Sequence, residues 1–390
     1  MLLTSIEYLI FFILSVNILY LLVFSVASRY PLKSSQTSAS VFKRIAILIP
    51  AYKEDQVIME CVNSCLTQDY PHQKYDTIVI SDQMKDTTVS SLKTLPLKLI
   101  NVVFQNSTKA KALNYAMAKI GDNYDIAVIL DADNVVDSKF LSHINISMNQ
   151  EGIEVTQAHR TAKNKNTKLA ILDAISEEIN NSIFRLGHMN TGLSAALIGS
   201  GMAFKYELLK KELYSINAIG GFDRALELTL IKKKKKITYL PNTYVWDEKI
   251  QNHHNFSKQR KRWLSAQLHY LRLSFKEIPQ AIQTKNWDLC DKIFQQMSLP
   301  RVLLLGITFL IALGTSFFTW ETSIKWWILF ITLSITLYIA IPKQMLTTKS
   351  VTAILILPLS FILMFLNLFK LKNANKRFIH TSHGIKNLVL

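Results

Sequence analysis

The chain has few cysteines and few acids, and it has neither of the common nucleotide-binding loops. Cys61, Cys65 and Cys290 are the only cysteines among 390 residues, too few for a disulfide framework. Cys61 and Cys65 stand one helical turn apart, with no His or Cys cluster to complete a metal site. They read as small buried hydrophobes in a reducing compartment. Acids number 28 against 45 Lys and Arg, leaving a formal charge of +17. No aromatic-basic platform or helix-turn-helix pattern accompanies that charge, which argues against nucleic acid and for a face held against anionic membrane lipid. The densest basic run, Lys232 to Lys236, reads as a solvated turn before the strand Ile237 to Leu240. A Gly-x-Gly-x-x-Gly fingerprint after the first strand is absent, as is a Gly-x-x-x-x-Gly-Lys loop, so any nucleotide is held differently.

Apolar residues are plentiful, 49% of the chain, and unevenly spread. Leu9 to Ala27 is long enough to span a bilayer, and three more runs lie near the end, about Val302–Trp320, Ile324–Ile341 and Val351–Phe369. Glu7 is the only charge before the first run, which argues against a cleaved signal peptide and for a retained anchor over residues 1–30. Arg29, Lys33, Lys43 and Arg44 follow it, placing the middle of the chain in the cytoplasm by the positive-inside rule. The expected order is this anchor, a catalytic domain over 31–275, an interfacial helix over 276–300, about three membrane helices over 301–370 and a basic tail over 371–390. Four spans are expected in all, with the side of the tail left open because Pro358 breaks the last run and the tail is basic. The location implied is the inner (plasma) membrane, multi-pass.

The middle reads as an alternating α/β domain. Ile45–Ile49, Thr77–Ile80, Leu99–Phe104 and Ile126–Leu130 are short apolar runs ended by Pro50, Ser81-Asp82, Gln105-Asn106 and Asp131-Ala132-Asp133. Helical stretches lie between them, about Glu54–Leu66, Thr87–Leu92 and Lys109–Lys119. Strand then helix, repeated, predicts a mostly parallel Rossmann-like sheet whose ligands bind beyond the carboxyl ends of the strands. A buried strand cannot end in two carboxylates without something to neutralise them. Alternation puts Asp131 and Asp133 on one side, and hard oxygens of that kind suit Mg²⁺ or Mn²⁺ when a diphosphate completes the shell. Asp82 is placed to accept from a base N–H, Tyr52 to pack on the base, and Lys109 to meet phosphate at a helix start. Met202–Phe204 and Val155–Gln157 read as further strands, the second followed by His159-Arg160. Both His159 and His188 lack ligand-like spacing and read as structural.

These motifs, in this order, resemble the family 2 glycosyltransferases of GT-A fold. Pro50-Ala51-Tyr52-Lys53-Glu54, Ser81-Asp82, Lys109-Ala110-Lys111-Ala112-Leu113-Asn114, Asp131-Ala132-Asp133 and Gln259-Arg260-Lys261-Arg262-Trp263 are similar to successive family segments. The last motif is prominent in cellulose, chitin and hyaluronan synthases. The resemblance implies Pro50, Ala51, Tyr52, Glu54, Asp82, Lys109, Asp131, Gln259, Arg262 and Trp263 around a nucleoside diphosphate sugar, with UDP as the nucleotide. It implies Asp133 and Asp131 around the metal ion, and Gly199, Ser200, Gly201 and Trp263 on the acceptor side. Asp223 falls where the family carries its catalytic base, but Phe222 stands in place of the usual glutamate, and Glu227 is the reserve candidate. The reaction implied is inverting transfer of a hexose or N-acetylhexosamine to a polysaccharide or saccharide acceptor, forming a β-glycoside. A lipid acceptor, as in ceramide glucosyltransferases, is the alternative. A non-catalytic nucleotide-sugar-binding subunit is the remaining reading, motivated by Phe222. Four spans are few for a channel, so a homo-oligomer or secretion partner would complete any translocation path.

Overall fold

A computed structural model describes residues 2–31 and 41–371; the basic-tail expectation for 371–390 falls almost wholly outside the described residues. Eight strands form one sheet: β1 (Ile45–Tyr52), β2 (Tyr75–Asp82), β3 (Lys98–Val102), β4 (Ile126–Ile129), β5 (Val135–Val136), β6 (Val155–Ala162), β7 (Met202–Lys205) and β8 (Thr238–Asp247). Their order is β3-β2-β1-β4-β7-β6-β8-β5. The first four are mutually parallel, as the strand–helix alternation predicts. Beyond them, β7 lies antiparallel to both β4 and β6, and β5 antiparallel to β8. The fold is therefore GT-A-like, a parallel half carrying the nucleotide-type motifs and a mixed half closing against it.

Several boundaries differ from expectation, among them the third strand, which ends at Val102, and the first helix of the domain, which starts at Ile58; two differences have a plain physical reason. Pro50 does not end β1, which continues to Tyr52 against β2. Pairing with β4 stops at Leu48, so on that side no partner carbonyl asks Pro50 for the N–H it lacks. The same parting opens the sheet between β1 and β4, where the strand order reverses, and a ligand crevice is expected there. His159 and Arg160 lie within β6 rather than after it, because a bulge at Ala158/His159 lets the strand continue beside β8.

The sheet has a buried apolar cluster on each face. One holds Leu113, Phe204, Phe222 and Leu226, the other Ile49, Cys61, Cys65 and Phe140. Cys61 and Cys65 are fully buried, as expected of core thiols. The Lys232–Lys236 turn is solvated but not idle. Lys232, Lys233, Lys235 and Lys236 pair with Glu277, Glu212, Glu154 and Asp288 at 3.0, 2.6, 2.6 and 2.6 Å. All four lysines are at least one-third exposed, so each pair contributes little.

A third cluster joins the apolar helices to the domain. Among the described residues, Thr4–Ala27 and Trp320–Ala340 are long and apolar enough to cross a membrane singly. They run side by side: Glu7 binds Lys325 and Trp326 at one end, at 2.8 and 3.0 Å, and Ser25 donates to the Thr336 carbonyl at the other, at 2.8 Å. Trp287–Met297 with Arg301–Ser316 is a pair bent by 56°, and Thr348–Ile354 with Leu357–Leu368 a pair bent by 44°. The last pair packs both on the helix Arg301–Ser316, where Phe361 lies against Gly306, and on the α/β domain. Lys165 Nζ meets Met345 Sδ just before it, Ile356 and Leu363 pack on Leu169, Ile250 and Phe256, and Asn367 Nδ2 donates to the Ser257 carbonyl at 3.1 Å. By length and composition the described residues hold two such helices, or four spans when each bent pair is taken as one.

Candidate active site

The crevice is built from strand ends. After β1, Lys53 takes φ +57°, and after β2, Gln83 takes φ +53°. Left-handed residues other than glycine cost of order 1–3 kcal/mol each and persist where the surroundings impose them. Here the two turns lock together, with Lys53 N donating to the Asp82 carbonyl at 3.2 Å. Asp82 is 3% exposed and its Oδ1 has no hydrogen-bond partner. Burial pushes its pKa up, only partly offset by Ser107 and Lys53 nearby. A buried acceptor left this way is costly unless a ligand donor meets it.

Lys109 opens the helix Lys109–Lys119, whose N-cap Thr108 accepts from Lys111 N at 3.2 Å. Its ammonium binds the Asp131 carboxylate and donates to the Gly199 carbonyl at 2.7 Å. Gly199 in turn lies against Asp223: a Cβ added to it would stand 3.8 Å from the Asp223 Cβ. Asp131, Lys109, Gly199 and Asp223 therefore form one contiguous line of contacts. Arg262 lies within electrostatic reach of it. Its burial lowers its pKa, while Asp223 and Asp131 act in the opposite sense.

Asp223 occupies the first turn of the helix Phe222–Lys232, preceded by Gly221 at φ +68°. Phe222, the residue in place of the family glutamate, is buried in the core. Glu227 also borders the cavity but is already engaged. It accepts from Leu197 N at 3.0 Å and lies 3.4 Å from Lys292 Nζ, a side chain with no solvent exposure. A carboxylate so held has less freedom to take a proton than Asp223.

Asn134 is the residue that the sequence reading missed. Fully buried, it accepts from Asp131 N at 3.0 Å and donates through Nδ2 to Asp133 Oδ1 at 3.2 Å and Asp247 Oδ1 at 3.3 Å. The amide beside two acids was the available signal. Behind it lies a buried charge network. Lys249 Nζ binds Asp247 at 2.8 Å, and Glu177 receives Arg160 at 3.0 Å and Arg185 at 3.3 Å. Burial raises the Glu177 pKa, but Arg160, Lys249 and Arg185 more than offset this and hold it well below the usual carboxylate range. This scaffold fixes the acidic loop; breaking one partner leaves an uncompensated buried charge. His159 and His188 have structural partners, Tyr239 and Glu178 for the first, Tyr20 and the Ile183 carbonyl for the second.

Gln259, Arg262 and Trp263 share one face of the helix His253–Ser274 and line the cavity. The Gln259 Oε1 is buried without a partner. Arg260 belongs to a different face, bound to Asp173 and stacked 4.3 Å from the Trp263 ring centroid. All these groups, with Pro50, Ala51, Tyr52, Glu54, Asp82, Lys109, Asp131, Asp133 and Asp223, border one cavity of about 1160 Å³. Gly199 borders it too, but Ser200 and Gly201 do not. Ser200 is fully buried, with its Oγ on Asn134 and Asp131 N. Gly201 is packed so that a Cβ would come within 2.9 Å of Val245.

Residues 43–266 match the family described as Glycosyltransferase like family 2. A curated relative is the poly-beta-1,6-N-acetyl-D-glucosamine synthase of Staphylococcus epidermidis, 24% identical over 260 residues, covering 65% of this chain and 61% of that protein. Another is the dolichyl N-acetyl-alpha-D-glucosaminyl phosphate 3-beta-D-2,3-diacetamido-2,3-dideoxy-beta-D-glucuronosyltransferase of Methanococcus voltae, 23% identical, covering 51% of this chain and 64% of that one. The match thus spans about three fifths of the length of either relative. Among solved structures, the mannosyltransferase PcManGT from Pyrobaculum calidifontis, in complex with GDP-Man and Mn²⁺, has a TM-score of 0.52 at 16% identity, covering 83% of this chain and 93% of that one. It shares the fold. With the matched region covering more than half of the sequence and carrying every strand of the sheet, the chain belongs to glycosyltransferase family 2.

Proposed function

We propose that the protein is an inverting glycosyltransferase that moves a hexose or N-acetylhexosamine from a UDP-sugar to a saccharide acceptor at the cytoplasmic face of the plasma membrane. The contiguity of Asp131, Lys109, Gly199 and Asp223 along one cavity wall carries this reading. In it, Asp82 receives a base N–H, satisfying its unpartnered oxygen, and Tyr52 packs nearby. Arg262 and Lys109 draw charge from the diphosphate through charge-assisted bonds. Trp263 offers a flat surface to an acceptor sugar on the face away from Arg260.

The acceptor oxygen attacks the anomeric carbon from the side opposite the diphosphate. The bond to the diphosphate oxygen breaks, and that oxygen keeps the electron pair. The acceptor proton passes to the Asp223 carboxylate, a general-base step typically worth about 10²–10⁴-fold. A single displacement inverts the centre, so an α-linked donor gives a β-glycoside. The β-linkages in both relatives' names agree with this outcome.

The donor set fits a hard divalent cation. Among the described residues no cluster of three His, Cys, Asp or Glu side chains is assembled. Asp133 and Asp131 alone supply carboxylate oxygens, and a substrate diphosphate is the natural source of the rest. When bound there, Mg²⁺ or Mn²⁺ would neutralise charge on the leaving diphosphate. A second reading, a lipid-borne acceptor, is favoured by the aliphatic half of the same cavity. Membranes carrying the wild type, Asp133→Ala and Asp223→Asn are assayed with radiolabelled UDP-N-acetylglucosamine and other UDP-sugars. Both variants are expected to lose turnover, with UDP binding retained in Asp223→Asn; an undiminished rate in either rejects the proposal.

A further inference from the structure

We infer that the connector 342–347 and its surroundings dock anionic phospholipid, with headgroups among Arg29, Lys165, Lys343 and Lys349, and that this contact steadies one rim of the cavity. The docking surface does not depend on the reaction; its effect on turnover rests on the glycosyltransferase reading.

The apolar helices Leu2–Ala27 and Trp320–Ala340 end at one margin. Arg29, two residues past the first, donates through Nη2 at 2.8 Å to the carbonyl of Ile341, which follows the second. Lys343 opens the short turn Lys343–Met345, and Lys165 of the catalytic domain reaches that turn, its Nζ 3.4 Å from Met345 Sδ. Lys349 lies in the first turn of the helix Thr348–Ile354. All four cations are exposed, and the partners of Arg29 and Lys165 are a carbonyl and a thioether. Among the described residues no carboxylate pairs with any of the four. The run Lys232 to Lys236 is the opposite case, since Lys232, Lys233, Lys235 and Lys236 each have an acid. Nor can the rest of the chain supply one: residues 32–40 and 372–390 add Lys33, Lys372, Lys376, Arg377 and Lys386 but no Asp or Glu.

Cations gathered without acids repel one another and draw counter-ions from outside the chain. At a membrane margin the anions at hand are lipid headgroups, and a negative leaflet surface attracts juxtamembrane Lys and Arg. The neighbouring side chains favour lipid over a soluble polyanion, because Tyr30, Leu346 and Val351 stand exposed in the same segments as the cations. Basic tips with apolar flanks suit the boundary between headgroup and acyl chain. The connector is also part of the cavity wall. Ile341, Met345, Leu346 and Ser350 border the same cavity as Asp223. A headgroup held by Lys343 and Lys349 therefore restrains backbone that shapes the cavity, at a place separate from the strand ends that carry the nucleotide-type motifs.

The test uses the full chain purified in neutral detergent and titrated with dioctanoyl phosphatidylglycerol, with native mass spectrometry as readout. Dioctanoyl phosphatidylcholine and inorganic phosphate are the comparisons. Each Lys or Arg beside an anionic lipid surface is worth about fivefold in binding. Phosphatidylglycerol is therefore expected to bind at least about 10-fold tighter than phosphatidylcholine, and Lys343→Gln combined with Lys349→Gln should remove that preference. Both lysines are exposed, so the double variant keeps its fold. Lys232→Gln combined with Lys235→Gln removes the same charge from the acid-paired turn and should leave the preference in place. Equal binding of the two lipids, equal losses in the two double variants, or displacement of phosphatidylglycerol by equimolar inorganic phosphate overturns the inference. In vesicles, replacing part of the phosphatidylcholine by phosphatidylglycerol should raise turnover with UDP binding unchanged; turnover indifferent to that exchange overturns the link to the cavity. Sugar transfer without the lipid preference refutes this assignment alone. The lipid preference without sugar transfer refutes the glycosyltransferase reading instead.

Discussion

Gly221→Ala is the perturbation whose cost the structure specifies most closely. Gly221 has φ +68°, and an added Cβ would lie 2.8 Å from Tyr270 Cε2 and 3.1 Å from Ala266 Cβ. Two penalties follow. The left-handed backbone costs a residue with a Cβ about 1–2 kcal/mol. Forcing an extra methyl into a packed contact costs about 1–3 kcal/mol more. The variant should therefore lose about 2–5 kcal/mol, a large share of a typical total of about 5–15 kcal/mol. Gly192→Ala separates the two effects. Gly192 has φ +83° with nothing within 4 Å of the added atom, so it should show the backbone cost alone. Denaturant titration of the solubilised full chain measures both. A functional split should accompany the difference: Tyr270 and Ala266 push on position 221, two residues before Asp223, so Gly221→Ala should also slow turnover, while Gly192→Ala should not. Equal stability losses in the two variants would refute the packing argument, and full activity in Gly221→Ala would refute the link to Asp223.

Glu227→Gln should cost about 3–5 kcal/mol of stability, because it leaves the unexposed Lys292 ammonium uncompensated; thermal melting checks this, and its turnover per folded molecule should exceed that of Asp223→Asn. UDP affinity should depend on pH through Asp82. The ionised carboxylate is the acceptor, so affinity is full above the raised Asp82 pKa and falls as pH drops through it, at a higher pH than an ordinary aspartate would show. Calorimetric titration of UDP across weakly acid pH measures this, and Asp82→Asn should flatten the profile. EDTA should abolish sugar transfer and Mn²⁺ or Mg²⁺ restore it, with an unaffected rate excluding the diphosphate-bridging role. Because Asn367 is tied to Ser257 of the catalytic domain, Lys370→Cys should react with an impermeant maleimide only after permeabilisation of cells; labelling in intact cells would place the last helix pair across the membrane.

Much of the site was legible along the chain because its signals are local. Strand-and-helix alternation follows from runs of four to eight residues, and the parallel order of β1 to β4 follows from it. The spacing of Gln259, Arg262 and Trp263 puts them on one helical face whatever the tertiary setting. Asp131 and Asp133 both border the cavity, but β4 ends at Ile129 and Asn134 N closes a turn onto the Asp131 carbonyl, so the turn rather than strand alternation places them. The Pro50 boundary was misread because a proline's cost depends on which neighbour needs its N–H, and β4 parts from β1 two residues earlier.

What the chain alone left open required groups far apart in sequence. Asp223 and Glu227 are one helical turn apart and equivalent by spacing. Only the fold brings Leu197 N and Lys292 to one of them and Gly199 to the other. Hydropathy marks Val351–Phe369 as a span, and only the fold shows that this run is bent by 44° and touches Leu169, Ile250, Phe256 and Ser257. The sequence by itself determined the strand–helix alternation of the parallel half and the residue types at its strand ends, since backbone periodicity and local chemistry suffice for those. The tertiary structure decided which carboxylate is engaged, which amide steadies the acidic loop and where the cavity leads, because burial and pairing are properties of distant segments meeting in space.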